Sequence, residues 1–174
     1  RCPRETDSET AGTMDIRSFE RPYEVRWAGK AEWVPAMDVV WRTFLQHEGK
    51  EYPEEGVRHF FDFITGDELH EAFLRGEYRL MVALDGDRIV GAGSVRDGNH
   101  LSLLFVDDAL HHRGIGSAIL GKLCDYLKNE AGERNMSLEA ASTAVNFYRK
   151  QGFRTVQPEM EISGIRLTPM EKVF

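Results

Sequence analysis

The spacing of apolar positions changes along this chain, and each change marks an element. "YEVRWAG" (residues 23–29) alternates as a short strand. Val34, Met37, Trp41, Phe44 and Leu45 then recur at helical spacing and predict a helix over about residues 31–47 with that face inward. After the polar loop "EGKEYPEE", Pro53 followed by Glu54 and Glu55 is a helix start, and Val57, Phe60, Phe61 and Ile64 form the apolar face. "DELHEAFLRG" adds a short helix closed by Gly76. From Tyr78 the period becomes that of strands. "YRLMVAL", "RIVGAGSVR" and "HLSLLFV" are separated by "DGD" and "DGN", and Asp-Gly between apolar runs predicts hairpin turns, hence an antiparallel meander.

The second half returns to mixed periods. Ile115, Ala118, Ile119, Leu123 and Leu127 share one helix face. "MSLEA" reads as a strand, and "STAVNFYRKQ" as a helix with Ser142 or Thr143 as N-cap and Gly152 as its stop. "FRTVQ" and "IRLTPMEKVF" are two further strands joined by a turn around Ser163 and Gly164. The expected order is β-α-α-β-β-β-α-β-α-β-β, an α/β fold (α+β, mixed sheet) with helices on both faces. The helix after Val106 must cross over to lay "MSLEA" parallel to the strand before it.

No repeat or linker divides the chain, so residues 14–174 read as one domain. The first thirteen residues, "RCPRETDSETAGT", nearly lack large hydrophobes and read as a disordered leader or a non-native remnant before Met14.

Composition narrows the function. A length of 174 residues with 41% apolar content supplies one core. The net charge of -7 and a pI near 5.4 speak against nucleic acid as a partner and favour cationic small molecules or basic peptide segments. Cys2 lies in the polar tail and Cys124 in an apolar helical pattern, which suits a reducing compartment. There is neither an apolar run of the ~20 residues that a membrane helix needs nor a signal-peptide core. The chain therefore reads as soluble, cytoplasmic and without a membrane partner.

The candidate chemistry lies in "VDDALHHRGIGSAIL" (residues 106–120). A helix N-terminus carries unpaired N–H groups and a positive dipole end, and it takes an anion when the backbone comes close. Gly114 and Gly116 permit that approach, while Arg113, His111 and His112 add charge. The alternative is that the glycines merely let the helix pack tightly on the sheet.

A second stretch weighs toward the anion. "LLFVDDALHHRGIG" resembles the strand, link and Gln/Arg-x-x-Gly-x-Gly/Ala of the GCN5-related N-acetyltransferase family. "TAVNFYRKQGF" is similar to that family's Ala-x-x-Phe-Tyr-x-x-x-Gly-Phe, through Ala144, Phe147, Tyr148, Gly152 and Phe153. The resemblance implies an acyl-CoA N-acyltransferase fold, with acetyl-CoA as co-substrate and no metal. It implies that backbone groups of Phe105 and Val106 pair with the pantetheine amides, and that the loop His111, His112, Arg113, Gly114, Ile115, Gly116 and Ser117 cradles the pyrophosphate. Tyr148 would protonate the departing thiolate, and the acceptor would be a small-molecule or peptide amine. Pairing through terminal strands into a homodimer also follows from the family's habit. Two positions depart from the pattern: His111 stands where the family has Gln or Arg, and Ala141 where many members carry Asn.

The residues leave the base open among His100, Ser102, Glu139 and water. They also leave open whether Glu48, Glu51, Glu54 and Glu55 attract a cationic amine or form a solvated loop. Three competing readings carry less of the pattern. A dinucleotide-binding unit asks for a third glycine where Ile119 stands, and for a tight turn where seven residues separate Val106 from Gly114. A zinc helix at "HEAFL" lacks its second histidine, Leu74 standing in that place. A non-catalytic acyl-CoA-binding module would share the loop but has no use for Tyr148 as an acid.

Overall fold

A strand buried on both faces needs cover on both sides, and β2 (Arg79–Asp85) is such a strand. Leu80, Val82 and Leu84 enter one core, while Met81 and Ala83 enter the other. The computed structural model describes residues 23–174. The leader expected over residues 1–13, and Cys2 with it, lies outside them. The chain runs β1 (Glu24–Trp27), α1 (Trp33–His47), α2 (Glu54–Thr65), α3 (Asp67–Leu74), β2, β3 (Arg88–Arg96), β4 (His100–Val106), α4 (Ile115–Asn129) and β5 (Asn135–Ala141). It closes with α5 (Val145–Lys150), β6 (Arg154–Thr155), β7 (Met160–Ile162) and β8 (Ile165–Val173).

The eight strands form one mixed sheet in the order β1-β2-β3-β4-β5-β8-β6, with β7 on β8. Strands β2, β3 and β4 make the expected antiparallel meander, β1 adds antiparallel to β2, and β5 runs parallel to β4 after the α4 crossover. On one face α4 buries Ile119, Leu120, Leu123 and Leu127; on the other α1 buries Ala36, Val39 and Val40. The approach of α4 is close. A Cβ on Gly93 of β3 would lie 2.5 Å from Ile119 Cγ2, so only glycine lets the helix sit this near the strand.

Three local expectations are corrected. The buried stripe of α1 is rotated: Ala36 and Val40 are fully buried, whereas Val34 is 69% and Leu45 42% exposed. Small side chains let α1 lie close to β3, and Trp41 turns instead toward Phe61 of α2, ring centroids 5.0 Å apart. Neither Ser142 nor Thr143 caps α5. They belong to a 3-10 turn, Ser142–Ala144, that leads into it. In the tail a third strand intervenes, so Ser163 and Gly164 turn β7 into β8 rather than β6 into β8. Cys124 is a free, buried thiol.

Candidate active site

The central feature is a fork in the sheet. Strands β4 and β5 share one Cα pairing, His100↔Ser137, and then part. Polar bonds pin the fork's base: Ser137 N–H donates to Asn99 O at 3.1 Å, Asn99 Nδ2 to Asn135 Oδ1 at 2.8 Å, and His100 Nδ1 lies 2.9 Å from Ser137 Oγ. Every second residue of an antiparallel strand turns its N–H and C=O away from its partner. Past His100, those groups of β4 have no strand opposite them among the described residues, and they run open to Val106.

The loop after Val106 is organised by its own side chains. Asp107 Oδ1 accepts from Ala109 N–H at 3.1 Å and starts a 3-10 turn, Asp108–Leu110. His111 Nε2 lies 2.8 Å from Val106 O. A carbonyl only accepts, so Nε2 carries the proton and the ring anchors the loop to the end of β4. Gly114 takes the left-handed conformation at φ +80°, and so does His112 at φ +66°. His112, Arg113 and Gly114 are exposed at the entry to α4, while the side chain of Ile115 is 3% exposed and leaves only its backbone to the loop. Ser117 Oγ accepts from Gln151 Nε2 at 2.9 Å, which joins α4 to the end of α5. A Cβ on Gly114 would meet nothing within 4 Å, and one on Gly116 would reach Phe147 only at an ordinary 3.5 Å. The close packing of α4 rests on Gly93; the space beside Gly114 is unfilled by protein and suits a phosphate cradle.

Between the fork and the helices on one face lies a cleft of about 350 Å³. Phe105, His100, Ser102, Glu139, Ala141 and Tyr148 line it from the sheet and α5; Glu48, Tyr52, His59 and Phe60 line it from α1, α2 and their loop. Tyr148 is buried and packs edge-on against Phe147 and Phe153. Burial first, and then the charge of Glu48, push its phenol above the ordinary tyrosine value.

The three base candidates therefore share the cleft but differ in freedom. Ser102 is the extra residue of a bulge in β4, and its Oγ accepts from Tyr78 Oη at 2.9 Å; the Tyr78 oxygen accepts in turn from the buried Ser94 hydroxyl at 2.7 Å. Burial, followed by the nearby Arg96 charge, holds His100 below the usual imidazole value. Glu139 is exposed.

The acidic loop divides. Glu51, Glu54 and Glu55 are exposed, whereas Glu48 is drawn partly inward onto the cleft. Sequence reasoning missed Tyr52, His59 and Phe60 as cleft residues, together with Ile165 and Leu167 of β8. An aromatic residue inside the otherwise polar "EGKEYPEE" was the available signal for Tyr52.

One further grouping bridges the two sides. His47, at the end of α1, places Nε2 2.7 Å from Asp108 Oδ1, and its ring stacks on His111 with centroids 4.7 Å apart. One side-chain nitrogen or oxygen from each of His47, Asp108 and His111 lies within 4.8 Å of the other two. They act here as a polar latch between α1 and the loop.

The family model for the acetyltransferase (GNAT) domain matches residues 48–174. The chain belongs to this family and is an acyltransferase of the N-acetyltransferase type. No curated protein matches the sequence significantly. Among solved structures it is similar to a GCN5-related N-acetyltransferase from Rhodopseudomonas palustris, at 19% identity and a TM-score of 0.76, covering 88% of this chain and 97% of that one. PaiA N-acetyltransferase from Thermoplasma acidophilum, solved in complex with coenzyme A, aligns at 18% identity and a TM-score of 0.74, covering 88% and 100%. An aminoglycoside 6'-N-acetyltransferase complexed with coenzyme A aligns at 14% identity and a TM-score of 0.61, covering 86% and 96%. Among the described residues no helix is long and apolar enough to cross a membrane.

Proposed function

We propose that this chain transfers an acetyl group from acetyl-CoA directly to a primary amine, with Tyr148 as the general acid. One observation carries the reading above the others: the open edge of β4 leads into the open N-terminus of α4, and Tyr148 stands on the same cleft. Where β4 ends at Phe105 and Val106, the residue turned away from β3 offers its backbone groups to the pantetheine amides in the manner of an added strand. Backbone amides from His112 to Ser117, the dipole end of α4 and the Arg113 guanidinium suit the pyrophosphate, with His111 holding the turn beneath them. Two similar structures are coenzyme A complexes, which supports the same ligand here.

The transfer asks three things of the protein: an amine free of its extra proton, both partners held in line, and a proton for the sulfur. The amine nitrogen attacks the thioester carbonyl, and the electron pair of the C–S bond leaves with sulfur. Tyr148 is kept protonated by its burial and by Glu48, and it supplies the proton that turns thiolate into thiol.

Calorimetric titration with acetyl-CoA tests the first half of the reading, with about one site per chain expected. Thiol release on adding primary amines tests the second half. Binding without turnover favours an acyl-CoA-binding module, and absence of binding overturns the reading.

A further inference from the structure

Glu48 sits where α1 ends, and its backbone N–H closes the helix on Phe44 O at 2.8 Å. The side chain is thereby aimed at the cleft, where it accepts a hydrogen bond from Tyr52 Oη at 3.4 Å. The ion pairs among the described residues are made by other acids. Its chain neighbour His47 is turned to Asp108. Glu48 is thus a partly buried carboxylate without an ion-pair partner among the described residues, within reach of Tyr148 by charge. Withdrawing a carboxylate from water without a counter-charge is unfavourable. A cation that arrives with the substrate removes that cost at the place where an amine must lose its proton.

We infer that Glu48 receives the ammonium group of the acceptor and takes its proton, so that this cleft serves cationic primary amines. The inference rests on the acetyl-transfer reading and supplies its acceptor site and base. The ammonium gives one proton to the Glu48 carboxylate and becomes a neutral amine. Its nitrogen forms the C–N bond, and Tyr148 protonates the sulfur as the C–S bond breaks. The second proton shed by nitrogen restores Tyr148, and Glu48 returns its own to solvent.

Burial raises the Glu48 carboxyl above the usual range, and this outweighs the lowering by the Tyr52 hydrogen bond and by His47; Glu51 adds a smaller rise. A raised value makes the carboxylate a better proton acceptor. The other titratable groups on this cleft are Tyr148 from α5, His59 from α2, Arg96 from β3, His100 from β4 and Glu139 from β5. A group whose basic form works and whose value is raised loses function as pH falls through that value. With Glu48 as the base, the acid limb of kcat/KM is expected to follow its titration.

The test uses wild type, Glu48→Gln and Tyr52→Phe, with 1,4-diaminobutane, n-butylamine, lysine and glycinamide as acceptors. It reads thiol release against pH and acetyl-CoA affinity by calorimetry. Glu48→Gln should lower kcat/KM by about 100-fold or more, remove the acid limb, and leave acetyl-CoA affinity within twofold. Tyr52→Phe removes the bond that lowers Glu48, so its acid limb should move to higher pH. The inference falls if Glu48→Gln matches wild type with an unchanged profile, or if Tyr52→Phe leaves the limb in place. It also falls, with the cofactor reading standing, if wild type binds acetyl-CoA and acetylates none of the four amines. Loss of acetyl-CoA binding by wild type would instead sink the transferase reading beneath it.

Discussion

The two sides of the cleft are made of different material. The β4 side, with its loop and the start of α4, presents backbone: open strand groups, amides at a helix end and a glycine in the left-handed region. The side formed by α1, α2 and their loop presents side chains, with Glu48, Tyr52, His59 and Phe60 facing the sheet. Backbone recognition demands particular glycines at fixed offsets and so leaves a motif. Side-chain recognition demands only that the right groups meet in space.

That contrast sets how each side should respond to change. The largest effect is expected at the cleft between them: Tyr148→Phe should lower kcat by about 100-fold and leave acetyl-CoA affinity within twofold, as stopped kinetics and calorimetry would show. Full turnover by that variant would remove the acid from the mechanism. Gly114→Ala attacks the backbone side. A side chain at φ +80° costs about 1–2 kcal/mol, so acetyl-CoA should bind roughly tenfold more weakly while the amine KM holds. Gly93→Ala separates packing from binding. With Ile119 in the way, it should destabilise the fold by about 1–3 kcal/mol in urea unfolding. The smallest effect is expected from His47→Ala, which cuts the latch between the sides. Its ion pair is well exposed, and acetyl-CoA affinity should change by less than about threefold.

The same contrast explains what could be read in advance. Strands β2, β3 and β4 were legible nearly to the residue, because alternation and Asp-Gly turns are local signals. The loop and Tyr148 were singled out by two motifs, and the fold sets the loop between β4 and α4 and Tyr148 on the cleft. The inward face of α1 was misjudged because size alone does not say which side of a helix meets the sheet. Met37 and Phe44 do face inward, together with Ala36 and Val40, whereas Val34 and Leu45, apolar like them, stay outside. The division of the acidic loop was illegible for a related reason. Nothing local distinguishes Glu48 from Glu51; the end of α1 decides which of them the fold turns inward. Likewise Ile165 and Leu167 reach the cleft only because β8 pairs with β5, far from it in sequence.

The fork between β4 and β5 also answers a hazard common to strand edges. An unpaired row of N–H and C=O groups invites another chain to add itself, and proteins usually guard such rows with charge, proline or a short strand. Here the row lies inside the sheet, between two strands that each pair on their far side, and the slot is shut at its base by His100 and Ser137. A slender, flexible molecule can thread it, whereas a ribbon with neighbours of its own has no room to dock. The protein thus keeps a strand unsatisfied without offering it as a seed for aggregation.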